Sequence, residues 1–195
     1  MQRKIYLATA LAAALSLPVV AYGQTTPEQR QAILNAHNVK RALHCVPPLA
    51  GSDLLATNAQ TWANGCHKDA SGTFFTHQPS NPNGENLAWG YRTFNGVAIL
   101  PGLSPQQVVE NWYGEINQYD FNNPFLETGP IGVNGHFTQV VWKASTLLGC
   151  AQATCSLSIG GRPETGTLWV CEYSPPGNFN ATPANLTLNV PRLCN

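Results

Sequence analysis

The sequence predicts a mixed α+β domain behind a secretory leader, and three observations support this class. Amphipathic segments with helix-capping residues occupy much of the first two thirds of the chain. Segments rich in β-branched and aromatic residues follow in the last third. An even number of cysteines lies after an apolar N-terminal stretch, as in secreted proteins that form disulfides.

The predicted leader comprises residues 1–23. Arg3 and Lys4 form its basic start, residues 5–20 are mostly apolar, and residues 21–23 include small residues at the cleavage positions. We therefore expect a secreted, extracellular protein. Residues 24–195 are expected to form one domain, because nothing later is apolar enough to span a bilayer and no linker or repeat divides them.

Charge and cysteine usage exclude several functions. Only 10% of the residues are charged, and without Arg3 and Lys4 the acidic residues outnumber the basic ones by two. The absence of a basic run argues against a nucleic acid partner, and the sparse charge favours a monomer. The 6 cysteines contain no Cys-x-x-Cys pair, so we expect disulfides instead of a cysteine zinc site. About 15 pairings are open.

The first helix is predicted to run from Pro27 to about His44. Thr26 suits the N-cap, and Gln29 completes a capping box. Helical spacing aligns a stripe that changes from apolar to polar along its length: Ile33, Leu34, His37, Asn38 and Arg41. Because buried polar groups need partners, we expect the three polar members to form an internal hydrogen-bond network.

Two further helices are predicted. One runs from Ser52 to about Cys66 and buries one face: Leu55, Ala59, Trp62, Ala63 and Cys66. The other begins at Ser104, with Gln107 closing a capping box, and aligns Val108, Trp112, Glu115 and Tyr119. Glu115 is an acid on an apolar stripe, so it requires a cation or histidine partner unless the edge of the stripe is solvated.

Residues 135–143 (GHFTQVVWK) are predicted to form a strand, because β-branched and aromatic residues alternate with polar ones. A period of two would separate His136, Thr138, Val140 and Trp142 from Phe137, Gln139 and Val141. Residues 147–153 and 167–173 are predicted to form a hairpin around Gly160 and Gly161. His44 and His67 lie near predicted helix ends and are expected to be solvated.

Four segments resemble, in order, the motifs of the CAP superfamily of cysteine-rich secretory proteins, insect venom antigens and plant pathogenesis-related class 1 proteins. They are residues 84–88 (GENLA), 112–121, 135–143 and 168–178. The chain looks most like the fungal secreted, sterol-binding branch. The resemblance covers about all of residues 24–195 and implies a three-layer α-β-α sandwich with a central antiparallel sheet. Glu172 departs from the motif, which usually has asparagine or another neutral or basic polar residue there.

The resemblance also implies a cleft lined by two histidines and two acids. The matching residues are His77, Glu85, Glu115 and His136. Such a set can bind zinc or another divalent cation. The alternative is a metal-free network that only holds the shape of the cleft. Asn86 and Gln139 are assigned, with His37, Asn38 and Arg41, to a structural network.

Residues 119–126 form an aromatic-rich loop, and apolar residues in a loop either pack into the core or provide a contact surface for an apolar ligand. In fungal relatives the matching loop is tied to sterol binding, and other members bind fatty acids between helices. We therefore expect a protein that binds and exports sterol or fatty acid, with Tyr119, Phe121 and Phe125 at the sterol contact. The alternative is that these aromatic residues only pack the loop against the core.

Two other functions stay open. One is a pathogenesis-related or antimicrobial protein that acts on a host or microbial surface without a lipid ligand. The other is a metal-dependent protease, although no Gly-x-Ser-x-Gly or His-Glu-x-x-His motif occurs and no catalytic residue is assigned. Asn180 and Asn185 begin glycosylation sequons, which have meaning only in a eukaryotic source.

The family resemblance also bears on the disulfides. It implies Cys150–Cys171 and Cys66–Cys155 bonds. Cys45 and Cys194 remain as a third pair that would tether the C-terminal tail, with a Cys45–Cys66 bond as the competitor.

Overall fold

The three predicted helices begin at their predicted caps. The computed structural model describes residues 24–69, 72, 74, 76–91, 93–94, 97–98, 102–127, 133–159 and 162–194, and the predicted leader lies outside them. Helix α1 (Pro27–Leu43) has the capping box of Thr26 and Gln29, and α2 (Asp53–Asn64) follows the N-cap Ser52. Helix α3 (Pro105–Gly114) repeats the capping box and continues into a 3-10 turn, Glu115–Gln118.

The central sheet contains the predicted hairpin. The strands are β1 (Ala50–Gly51), β2 (Gly84–Tyr91), β3 (Thr93–Phe94), β4 (Val97–Ala98), β5 (Leu147–Ile159) and β6 (Arg162–Ser174). The four-stranded sheet has the order β1-β5-β6-β2, and β3 pairs separately with β4. Its long strands are antiparallel, as predicted, whereas the two residues of β1 run parallel to β5. The hairpin is longer than predicted because pairing continues to Ile159 and Arg162.

The prediction of a strand at residues 135–143 is wrong. Residues 135–141 form a short helix, α4 (Gly135–Val141). Its residues from Phe137 to Val141 are all buried, so no amphipathic period is visible in the sequence. The β-branched composition therefore suggested a strand, and burial on all sides overrode that propensity. The C-terminal helix α5 (Pro183–Asn189), capped by Thr182, was not predicted.

The helices cover both faces of the sheet, which gives the predicted three-layer sandwich. On one face α2 packs through Ala59 and Ala63 against Val170 and other apolar residues. On the other face α1, α3 and α4 pack against Trp169 and Tyr173. A side chain at Gly149 would collide with the backbone of α2, so this glycine allows the helix to lie directly on β5.

Three disulfides hold the layers and the tail together. They join Cys150 to Cys171 and Cys66 to Cys155, the two pairs that the family resemblance implied, and Cys45 to Cys194, the pair that remained. The Cys45–Cys66 alternative does not form. Among the described residues, no helix combines the length and apolar character needed to cross a bilayer.

The polar residues of α1 form the predicted internal network. His37 donates from Nδ1 to the carbonyl of Ile33 and accepts at Nε2 from the hydroxyl of Tyr173, each at 2.8 Å. Asn86 donates to the same hydroxyl at 3.1 Å and to the carbonyl of His136 at 3.1 Å. Asn38 bonds both backbone groups of Leu49. The network therefore links α1, the sheet and α4.

Gln139 extends this network to the loop after β6. Its Oε1 atom accepts from the backbone N–H of Gly177 at 2.9 Å, and Nε2 donates to the hydroxyl of Ser145 at 3.2 Å. Side chains at Gly84 or Gly177 would collide with Gln139, so both glycines make room for it. Gln139 thus ties α4 to the loop that follows β6.

The expectation that His44 is solvated is wrong. This side chain is buried and contacts the carbonyl of Pro191 at 2.6 Å and the hydroxyl of Tyr113 at 2.9 Å. Burial lowers the pKa of His44. The disulfide between Cys45 and Cys194 draws the C-terminal segment over the end of α1, and this segment covers the imidazole. His67 is exposed and stacks on Trp62.

Candidate functional site

Glu115 and His136 form a close pair between the 3-10 turn and the start of α4. The Nδ1 atom of His136 lies 2.6 Å from Glu115 Oε1. Because a carboxylate only accepts hydrogen bonds, Nδ1 carries the proton, and Nε2 is left for another ligand. The imidazole also stacks on Trp112 at a centroid distance of 6.1 Å. The histidine partner that the sequence required for Glu115 is therefore present.

Glu115 also holds the first turn of α4. Its Oε2 atom accepts hydrogen bonds from the backbone N–H groups of His136 and Phe137 at 2.9 and 3.1 Å. Asn134, at the N-cap, makes no side-chain capping bond, so Glu115 supplies the missing acceptor from outside the helix. Both carboxylate oxygens are thus already used for positioning.

His77 and Glu85 form the second pair, at the start of β2. Glu85 Oε1 lies 2.6 Å from His77 Nδ1 and accepts the backbone N–H of Gln78 at 3.1 Å. The side chain of Glu85 is 4% exposed, whereas that of His77 is 59% exposed. Glu85 Oε2 is buried and has no hydrogen-bond partner within the described residues.

The four predicted cleft residues therefore occur as two histidine–glutamate pairs. Across the described part of the chain, no group of three or more His, Cys, Asp or Glu side chains is arranged to hold a metal ion. Each pair nevertheless has the arrangement in which a carboxylate orients an imidazole that offers its other nitrogen to a metal. The geometry therefore shows two oriented imidazoles, each contacting its glutamate through Nδ1, and no assembled metal site among the described residues.

A cavity of about 280 Å³ lies beside His77 and Glu85. Its wall is rich in amides, contributed by Gln78, Asn81, Asn83, Gln139 and Asn178. Asn178 is held by hydrogen bonds to Thr138 and to the carbonyl of Gly135 at the start of α4. Sequence reasoning missed this role of Asn178 and of Asn83, because loop amides give no pattern that separates a cleft wall from a turn.

The three aromatic residues of the predicted lipid loop lie in different environments. Tyr119 is buried, and burial raises its pKa to about 12. Phe121 is partly buried and packs edge-on against Tyr119 and Phe137, with the guanidinium of Arg192 over its ring. Phe125 is 64% exposed. Tyr119 and Phe121 therefore pack the loop against the core. Of the three aromatic residues, Phe125 is the one that presents its ring to solvent.

The family model for the cysteine-rich secretory proteins, abbreviated CAP, matches residues 34–173. This chain belongs to the CAP family. "Repressed by EFG1 protein 1" of Candida albicans is 43% identical to this CAP domain over 156 residues, which are 77% of the chain and 47% of that protein. Protein PRY2 of Saccharomyces cerevisiae is 40% identical over 148 residues, which are 75% of the chain and 37% of that protein. The chain thus spans less than half the length of these fungal relatives.

Plant relatives and solved structures agree with this assignment. Pathogenesis-related protein 1A1 of Solanum lycopersicum is 34% identical over 162 residues, which are 83% of the chain and 79% of that protein. The structure of BmVAL-1 matches with a TM-score of 0.56 at 26% identity, covering 80% of this chain and 81% of that one. MpPR-1i matches with a TM-score of 0.55 at 22% identity, covering 82% and 96%, which supports the shared fold alone.

Replacing Glu115 by alanine is expected to destabilise this CAP domain by about 2 kcal/mol, because two helix N–H groups and one imidazole lose a charged acceptor. Urea denaturation measures the effect. Glu110→Ala, on the neighbouring turn of α3, is the matched control, since this exposed carboxylate only pairs with Lys40. It should cost less than about 1 kcal/mol. Equal effects of the two variants would show that Glu115 does not hold α4.

Proposed function

We propose that this CAP domain is secreted and binds a sterol or a fatty acid. The observation that carries the proposal is the exposed ring of Phe125 on a loop whose backbone is fixed. An aromatic ring held in solvent by an ordered loop is suited to contact an apolar ligand. The three disulfides fit the oxidising environment of a secreted protein.

The loop is fixed on both sides of Phe125. The buried side chain of Asn134 donates to the carbonyl of Phe125 at 2.9 Å and accepts the N–H of Glu127 at 2.9 Å. Pro124 is buried, and Tyr119 and Phe121 anchor the start of the loop in the core. The exposure of Phe125 is therefore maintained by the surrounding contacts, which favours a binding role for this ring.

A second cavity supports the fatty acid as an alternative ligand. It has a volume of about 390 Å³ and lies between α1, α2 and β5, with Ile33, Leu34, Ala56 and Leu148 among its walls. This volume is at the lower end of the range for small-molecule pockets. The apolar walls suit an acyl chain, and the ion pair of Arg30 and Asp53, 3.9 Å apart, lies at the polar side of the cavity.

Replacing Phe125 by serine is expected to weaken binding of a labelled sterol at least about 10-fold, while the thermal midpoint changes by less than about 2 °C, because the ring is exposed. Equilibrium binding to the purified oxidised protein measures the affinity. Phe121 is unsuitable for this test, since its ring packs against Tyr119 and Phe137 and its loss would also change stability.

Phe179→Ser is the matched control, because Phe179 is 75% exposed on a different loop. It should leave sterol binding unchanged. If Phe125→Ser and Phe179→Ser have the same effect, the loop is not the sterol contact. Fatty acid binding that survives both variants would place that ligand elsewhere, with the cavity beside α1 as the next site to test.

A further inference from the structure

The C-terminal segment of the chain leaves α5 and crosses the C-terminal end of α1. Its residues 191–194 are called the C-terminal strap. His44 donates from Nδ1 to the carbonyl of Pro191 at 2.6 Å, and the backbone N–H of Cys194 donates to the carbonyl of the last residue of α1 at 3.0 Å. The disulfide between Cys45 and Cys194 adds a covalent tether. The strap is therefore held at both of its ends.

The side chain of Arg192 extends from the strap to the aromatic loop of residues 119–126. Its Nη2 atom donates to Asn122 Oδ1 at 2.6 Å, and its guanidinium lies 5.4 Å from the ring centroid of Phe121. Asn122 in turn donates its backbone N–H to the carboxylate of Asp120 at 2.8 Å. One residue of the strap thus contacts two successive residues of a loop that is distant in sequence.

The strap also acts on Phe121 through His44. The two rings stack with their centroids 6.4 Å apart and an interplanar angle of 27°. Because Pro191 accepts a hydrogen bond from the imidazole, the strap fixes the orientation of the ring on which Phe121 packs. The partly buried ring of Phe121 therefore makes a stacking contact and a cation–π contact, and both depend on the strap.

Arg192 is held by the loop and not by an acidic partner. Within the described residues, the ion pairs of arginine and lysine join Arg30 to Asp53 and Lys40 to Glu110. Arg192 is exposed, and an arginine side chain loses much rotamer freedom when it is fixed in one geometry. Its contacts with Phe121 and Asn122 are thus the interactions that oppose this loss.

The aromatic loop is attached to the rest of the domain in two places. Asn134 bonds the backbone at Phe125 and Glu127, near the end of the loop. The strap contacts Phe121 and Asn122, near its start. Phe125 lies between the two attachments in sequence, so the position of its exposed ring depends on both.

We propose that the C-terminal strap positions the aromatic loop for its ligand, with Arg192 as the positioning residue. A loop that is ordered before binding loses less conformational entropy when the ligand binds, so the affinity is higher. This inference rests on the proposed lipid function, because the loop is the proposed contact. It also gives the disulfide of Cys45 and Cys194 a role in binding, although neither cysteine belongs to the loop.

Amide hydrogen exchange of the ligand-free protein tests the strap without any lipid. Arg192→Ala should accelerate exchange at Asn122 at least about 5-fold, while the thermal midpoint changes by less than about 2 °C, because Arg192 is exposed. Arg192→Lys keeps a cation near Phe121 and should give a smaller increase. Lys143→Ala is the control, because it removes an exposed lysine that contacts α5 through its backbone, and it should leave exchange in the loop unchanged.

Equilibrium binding of radiolabelled cholesterol to the same purified, oxidised proteins tests the consequence for the ligand. Arg192→Ala should weaken binding about 5-fold or more, Arg192→Lys should weaken it less, and Lys143→Ala should leave it unchanged. A second variant, Cys45→Ser combined with Cys194→Ser, removes the tether and should weaken binding at least as much as Arg192→Ala.

The outcomes separate this inference from the proposed function. Absence of cholesterol binding by the unmodified protein would contradict the loop as the sterol contact, and the inference would fail with it. If the unmodified protein binds cholesterol and Arg192→Ala binds it equally well, the role of the strap alone is wrong. Unchanged exchange at Asn122 in Arg192→Ala would also overturn that role, because the loop would then be ordered without the strap.

Discussion

Replacing Arg41 by methionine is expected to lower the free energy of unfolding by about 5 kcal/mol. The guanidinium is fully buried, and burial lowers its pKa to about 10, so it remains charged at neutral pH. It donates to the carbonyls of Pro47, Val140, Trp142 and Ser145 at 2.8 to 3.1 Å. Methionine fills much of the volume but leaves these carbonyls without their donor.

The size of this effect follows from what Arg41 connects. Val140 and Trp142 lie at the end of α4, where the last carbonyls of a helix lack partners within it. Arg41 thus closes the C-terminal end of α4, just as Glu115 holds its first turn. Urea denaturation of Arg41→Met measures the loss. The control is Arg30→Met on the same helix, where the arginine makes only a long, exposed ion pair, and it should change stability by less than about 1 kcal/mol. Similar losses in both variants would contradict this role for Arg41.

The protein is expected to lose about 3 kcal/mol of stability through His37 as the pH falls from about 6.5 to about 4. Burial lowers the pKa of His37 from 6.5 to about 4, and the imidazole is neutral in the network with Ile33 and Tyr173. Between these two values the unfolded chain binds a proton that the folded chain excludes. The contribution is therefore fully present above the unfolded pKa and is lost as the pH falls.

Urea denaturation of the unmodified protein and of His37→Gln, from pH 7.5 to pH 4, measures this loss. Glutamine reaches Tyr173 but does not titrate, so the difference between the two stability curves should shrink by about 3 kcal/mol as the pH falls. His44 contributes in the same direction and Glu172 in the opposite one, and both cancel in this difference. Parallel curves would show that His37 does not titrate with folding.

Local sequence signals predicted the helices well and α4 wrongly. Thr26, Ser52 and Ser104 mark helix starts because a capping side chain acts on its own next turn. Helix α4 depends on contacts from distant parts of the chain: Glu115 at its start and Arg41 at its end. No local pattern could reveal these contacts. The buried environment of His44 likewise depends on a disulfide that joins residues 149 positions apart.

The candidate site was only partly predictable. The resemblance identified His77, Glu85, Glu115 and His136, and the structure adds that they form two pairs with the carboxylates on Nδ1. The position of Glu172 opposite Glu85 required the register of β2 against β6, which the sequence did not provide. The difference between exposed Phe125 and buried Tyr119 likewise depends on how the loop packs.

Direct equilibrium binding of a radiolabelled sterol, and separately of a labelled fatty acid, to the purified oxidised protein tests the central proposal. A lipid-binding CAP domain predicts saturable binding of at least one of the two, displaced by the unlabelled compound. Binding of neither ligand would contradict the proposed function. The exposed loop would then be a surface for a protein or cell-surface partner, and the two histidine–glutamate pairs would be the next lead.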